Sequence, residues 1–161
     1  MLKIFNELKP FFEDCYRDIS VRQYAGIINI SPPTASKTLK ELEKENLLIS
    51  ENKGIYIYFR ANRENFVFKQ LIRIYWYQLL SHLTEEIYEL IAYKRIILFG
   101  SLTKAENTLK SDLDLYLESE SREINTLNIE KKLKRKVQLH FINSMKNENL
   151  KKNIEQGVII R

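Results

Sequence analysis

The sequence predicts an α+β chain in two parts. A helical first part is closed by a β-hairpin, and a small second part alternates strands and helices around a mixed sheet. Three observations predict this. Apolar residues recur at helical spacing through residues 2–44. The β-branched and aromatic run Ile55-Tyr56-Ile57-Tyr58-Phe59 follows a turn at Glu51-Asn52-Lys53-Gly54. From residue 95 onward, short apolar runs alternate with helical patterns.

The elements follow in order. Leu2, Phe5, Leu8 and Phe12 define a first helix. Ser20 is placed to cap a short helix over residues 21–28. Ser31 caps the next, with Pro32 at the first helical position, where its missing N–H costs nothing. Ala35, Leu39 and Leu42 form its inward stripe. Thr34, Ser36, Lys37 and Lys40 face outward. The helix fades at Asn46, Leu47-Leu48-Ile49-Ser50 reads as a strand, and residues 55–60 as its partner. Residues 65–93 are mostly helical, with a break near 81–84. Phe66, Phe68, Leu71, Ile72, Tyr75, Trp76 and Leu80 make that stretch apolar on nearly every face, as in a helix buried between domains or subunits. Strands are expected at 95–99, 112–117, 136–142 and 158–160, and helices at 101–106, 124–134 and 147–156. The domain reading is 1–62, a helical connector at 63–93, and 94–161.

With 161 residues, 44% of them hydrophobic and 29% charged, the chain is globular rather than disordered. No apolar run approaches the ~18 residues of a membrane span. Glu7 and Lys9 interrupt the opening, which lacks the apolar core of a signal peptide. The single cysteine, Cys15, cannot form a disulfide within the chain and fits a reducing cytoplasm. The net charge of +5 and a pI near 9.2 lean toward a polyanionic partner.

Gly100-Ser101, ten residues, then Asp112-Leu113-Asp114 is the stretch that carries chemistry. In a strand, residues i and i+2 share a face, so the two carboxylates project together. Such a pair repels unless a cation lies between them, and Mg²⁺ suits a few carboxylate oxygens plus phosphate oxygens and water. Gly100 lets the backbone approach a phosphate closely, Ser101 can donate to it, and Lys104 on the following helix can reach it. Gly-Ser, ten residues and Asp-x-Asp resembles the signature of polymerase-beta-like nucleotidyltransferases, in their minimal branch, over residues 84–161. The resemblance implies a Gly-Ser turn on the triphosphate of a nucleotide, two aspartates on Mg²⁺, and a third carboxylate on a later strand. It also implies transfer of a nucleoside monophosphate to a hydroxyl and, in several minimal members, a small all-helical protein partner. Two positions depart from it. Counting back from Gly157, the third carboxylate falls on Gln138, and the arginine usual two residues after the glycine is Leu102. An amide supplies no negative charge to a bridging metal. His140 faces the same way as Gln138, but imidazole is a poor Mg²⁺ ligand.

Residues 1–62, with the capped Ile30–Leu42 segment and the Asn52-Lys53-Gly54 turn, resemble the winged helix-turn-helix of MarR- and ArsR-type regulators. That resemblance implies double-stranded DNA as a partner. Thr34, Ser36 and Lys37 would meet base edges or phosphates, and Lys40, Lys53 and Arg60 the backbone. It also implies a two-fold dimer, for which the 65–80 helix is the obvious element. The leading expectation is a DNA-binding regulator whose second domain binds, or once bound, a Mg-nucleoside triphosphate. The alternative is an active nucleotidyltransferase modifying a protein or RNA hydroxyl, with the helical partner making it part of an antitoxin-like pair.

Overall fold

The computed structural model describes residues 2–161, a mixed α+β chain that divides into two compact units. The first takes the described residues up to 72 together with 105–108, the second 73–104 and 109–161.

In the first unit, α1 (Lys3–Glu13) buries Phe5, Leu8, Phe11 and Phe12. A two-residue strand, β1 (Ile19–Ser20), leads into α2 (Val21–Ile28). Ser20 and Gln23 exchange a reciprocal pair of caps: Gln23 N–H donates to Ser20 Oγ, and Ser20 N–H to Gln23 Oε1 at 2.9 Å. Asn29 ends α2 in the left-handed region, at φ 55°. Ser31 caps α3 (Pro32–Lys44), which turns Ala35, Leu39 and Leu42 inward. Then come β2 (Leu48–Lys53) and β3 (Tyr56–Ala61), and the antiparallel sheet runs β1-β3-β2. Leu48, Phe59 and Ala61 are buried.

The hairpin differs from its sequence expectation. Glu51, Asn52 and Lys53 are not turn but strand, paired with Tyr58, Ile57 and Tyr56. The loop shrinks to Gly54-Ile55, and Gly54 takes the positive φ (64°) that a two-residue hairpin demands. The two residues of β1 are too few to show an alternation.

Asn107 is fully buried and serves the C-terminal end of α1. Its side-chain amide donates to the carbonyls of Phe12 (2.9 Å) and Glu13 (3.1 Å). Cys15 Sγ donates to its Oδ1 at 3.3 Å, and Cys15 N–H to its backbone carbonyl at 2.9 Å. Helix-end carbonyls need such partners once water is excluded. Asn107→Ala is expected to lower stability by about 2–3 kcal/mol, because it strips partners from several buried polar groups at once. Urea unfolding of the full chain measures this.

The long helical stretch resolves into α4 (Phe66–Leu83) and α5 (Glu85–Leu90). Thr84 makes the break, buried with its hydroxyl on the Leu80 carbonyl at 2.9 Å. Phe68 and Ile72 are buried in the first unit; Tyr75, Trp76 and Leu80 in the second.

The second unit holds β4 (Ile96–Phe99), α6 (Ser101–Lys104), β5 (Leu113–Leu117), α7 (Leu127–Leu133), β6 (Val137–His140), a 3₁₀ turn (Ile142–Lys146), α8 (Glu148–Glu155) and β7 (Val158–Ile159). The sheet order is β6-β5-β4-β7; β5 and β6 are parallel, the other pairs antiparallel. A parallel pair needs a crossover, which contains α7. That helix starts three residues later than its apolar pattern suggested, with Asn125 Oδ1 accepting from Leu127 N–H at 3.0 Å. One sheet face presents Ile97, Phe99 and Tyr116 to Ile154 of α8. Ile96, Leu98, Leu113, Leu115 and Leu117 point to the other and are fully buried. Gly157 lets β7 reach β4, since a Cβ there would sit 2.5 Å from the Leu98 carbonyl oxygen. Arg73 clamps the same corner through the carbonyls of Gln156 (3.1 Å) and Gly157 (2.9 Å).

Candidate functional site

The site stands on the α8 side of the second unit's sheet, at the end where β4 gives way to α6. Register places Phe99 opposite Asp114, and Asp114 opposite Gln138. Asp114 lies within β5, while Asp112 sits one residue before the strand begins. Gly100 has φ 78°, and any Cβ there would run into Asp114 Oδ2. Only glycine permits both the turn and the contact. Ser101 opens α6 and is half-buried; its hydroxyl has no partner among the described residues. Gly100, Ser101, Asp112 and Asp114 are therefore brought together.

The two departures sit as follows. Gln138 Nε2 donates to Asp112 Oδ2 at 2.6 Å, so an amide stands where the resemblance asks for an acid. Leu102 is fully buried, so that position packs in the core. Lys104 is turned toward α8, where Nζ donates to Asn153 Oδ1 at 2.7 Å. Its reach toward a phosphate requires that bond to break. Glu118 is committed elsewhere, accepting both Nε and Nη2 of Arg95 at 2.9 and 2.7 Å.

His140 is the second residue facing the acids. Its Nε2 is buried without a hydrogen-bond partner among the described residues, and it lies 3.6 Å from Asp114 Oδ1. That is ion-pair range and too long for a hydrogen bond. Its ring meets Phe99 edge-on at 5.0 Å. Burial raises the Asp114 carboxyl above its ordinary range; His140 pulls it back, and the Asp112 charge adds a smaller upward push. A carboxyl raised by folding contributes stability at low pH that is lost as pH rises through the folded value. Asp114→Asn is therefore expected to raise the melting temperature at neutral pH and to leave it unchanged in acid. Differential scanning fluorimetry across pH checks the sign.

Among the described residues no group of three or more His, Cys, Asp or Glu is arranged to hold a metal. Asp112 and Asp114 fit one Mg²⁺ that completes its shell with phosphate oxygens and water. They do not supply the further bridging carboxylate of a two-ion centre.

Arg135 supports the site and has no signature in the sequence. It is 6% exposed, and Nη1 donates to the Ser111 carbonyl at 2.6 Å, immediately before Asp112. Leu113 N–H donates to the Lys136 carbonyl at 2.8 Å. Together these fix the approach to the first aspartate. A basic residue next to a lysine run could not be told from solvated surface by pattern alone.

The outward set of the first unit is separate. Thr34, Lys37 and Lys40 are exposed on α3, and Ser36 is half-buried. Thr34 Oγ1 and Ser31 Oγ share a hydrogen bond of 2.8 Å. Lys37 lies 4.0 Å from Glu41, an exposed pair of little energy. Lys53 is held by Asp18 at 2.5 Å.

A glycine turn packed on Asp114, beside Ser101, whose hydroxyl has no partner among the described residues, can hold a phosphate ester with its cation. Residues 80–160, half of the chain, match the family model of the nucleotidyltransferase domain. The chain belongs to that family. No curated protein and no solved structure matches the chain.

Proposed function

We propose that this chain is a DNA-binding regulator whose nucleotidyltransferase domain holds a Mg-nucleoside triphosphate with transfer largely lost. The observation that carries the second half is the 2.6 Å bond from Gln138 to Asp112. It occupies one oxygen of Asp112 with a neutral donor where a third carboxylate would add negative charge. Asp112 and Asp114 would hold one Mg²⁺, and Gly100 and Ser101 the phosphates. Mg²⁺ would supply charge neutralisation to the triphosphate. The residues themselves position: Gly100 seats the turn, Arg135 fixes the loop before Asp112, and Gln138 orients that carboxylate.

The first half rests on the order α1-β1-α2-α3-β2-β3 and the sheet order β1-β3-β2, which support a winged helix-turn-helix. On that reading α3 presents Thr34, Ser36, Lys37 and Lys40 to the major groove, and Lys53 on the wing meets the backbone. Phe66 and Val67, 73% and 53% exposed at the start of α4, support a dimer through that helix. Cys15, the single cysteine of the chain and buried, supports a reducing cytoplasm.

The test has two arms. Each nucleoside triphosphate is titrated with Mg²⁺, and label transfer in lysate is followed alongside. Binding without transfer is the expected result; transfer that depends on Asp112 and Asp114 would overturn it in favour of an active enzyme. In the other arm, duplex libraries are selected at low salt. Lys37→Ala and Lys40→Ala are each expected to weaken binding across all sequences and to reduce the salt slope by about one. No retention above background would sink the DNA reading.

A further inference from the structure

The outward face of the first unit's sheet carries a different set of side chains from α3. Ile49 pairs with Arg60, Glu51 with Tyr58 and Lys53 with Tyr56. All six lie on the face opposite Leu48, Phe59 and Ala61. Tyr56 is 51% exposed and Ile49 38%. Lys53 Nζ stands 5.7 Å from the centre of the Tyr58 ring. Where Ile49 and Arg60 end this face, a cavity of about 250 Å³ opens, walled further by Tyr16, Asn62, Arg63 and Glu64. The Arg63 guanidinium lies 3.9 Å over the Tyr16 ring, and its Nε donates to the Ala105 carbonyl at 2.9 Å. Its orientation is thus set in advance.

The acids nearby are already engaged. Asp18 and Glu51 lie 2.5 and 3.8 Å from Lys53, and Glu64 lies 3.7 Å from Lys69. Arg60 and Arg63 have no carboxylate partner among the described residues.

We infer that this face and its cavity bind single-stranded nucleic acid. Tyr56 and Tyr58 are the stacking surfaces, and Arg60 and Arg63 contact the phosphates. Tyr56 and Tyr58 stand ~6.8 Å apart at ~3.4 Å per residue, enough for each to take its own base. Every base has a flat apolar surface, so such a platform tolerates sequence. A guanidinium offers a planar fork of donors that matches phosphate oxygens. A duplex can meet Lys53 and Arg60 through its backbone but cannot use the tyrosines, because its bases are covered by their neighbours. RNA and single-stranded DNA share the required chemistry. The inference depends neither on the nucleotidyltransferase site nor on α3.

The experiment is fluorescence anisotropy on the full chain, with labelled oligo-U, oligo-dT and a duplex of equal length, ~12 nucleotides, within the ~4–16 that one such surface covers. Saturable binding to a single strand is expected, and the stronger of oligo-U and oligo-dT identifies the source. Tyr56→Ala and Arg60→Ala are each expected to weaken it roughly tenfold. Arg60→Ala also lowers the salt slope by about 0.7. Both altered side chains are exposed, and melting curves matching the parent confirm folding. The inference is overturned by absence of saturable binding to either strand, by Tyr56→Ala and Arg60→Ala both binding like the parent, or by Tyr56→Ala weakening duplex binding as much as single-strand binding.

Discussion

Gln138→Glu is expected to switch on nucleotidyl transfer. The change replaces the amide on Asp112 with a third carboxylate on the strand beside Asp114. Without metal, the variant loses a 2.6 Å bond and gains like charges in its place. Its melting temperature should fall, by the equivalent of about 1–2 kcal/mol. Added Mg²⁺ should restore it, and more strongly than in the parent. Transfer from a labelled nucleoside triphosphate should then rise by about two to three orders of magnitude, roughly 3–4 kcal/mol of barrier. The thermal shift and the transfer assay are independent readouts. A parent protein that already transfers as fast as the variant would remove Gln138 as the cause of any loss.

Trp76→Ala should give the largest loss of stability. Trp76 is 1% exposed, meets Tyr75 edge-on at 5.1 Å, and lies beneath the Arg135 guanidinium at 5.4 Å. Removing a buried indole costs about 3–5 kcal/mol through lost burial and the cavity left behind. That is a large part of the ~5–15 kcal/mol that holds a typical domain together. Trp76→Phe should cost far less, because the indole N–H makes no hydrogen bond among the described residues. Denaturant midpoints of the two variants compare these directly. The alanine variant also removes the flat surface under Arg135, so the loop before Asp112 should loosen and nucleotide affinity should fall with it.

What could be read from the sequence follows from local physics. The strands β4 and β5, the Gly100-Ser101 turn and the alternation of Asp112 and Asp114 depend on neighbours one or two residues away. Ser20 and Ser31 announce α2 and α3 because a cap acts within one turn. Gln138 is placed by the family resemblance, counting back from Gly157, and its pairing with Asp114 is a register that only the fold supplies. Contacts between distant residues were not legible. Nothing near Lys104 indicates that Asn153 takes its ammonium, and nothing near Leu102 shows that its side chain lies in the core. Arg135 and Asn107 are polar residues in polar surroundings of sequence, yet both are buried. Their roles arise from carbonyls 24 and 95 residues away. The hairpin was misjudged by its composition, since Glu51, Asn52 and Lys53 are turn-forming types held in a strand by the ladder to Tyr56, Ile57 and Tyr58.

The chain leaves the second unit after Lys104 and re-enters it at Leu109, having lent four residues to the first. Those four carry Asn107 to Phe12, Glu13 and Cys15. A gene cut once between codons 72 and 73 would therefore yield two unfinished products. One would lack the residue that closes the end of its first helix; the other would carry an orphaned loop between Gly100-Ser101 and Asp112.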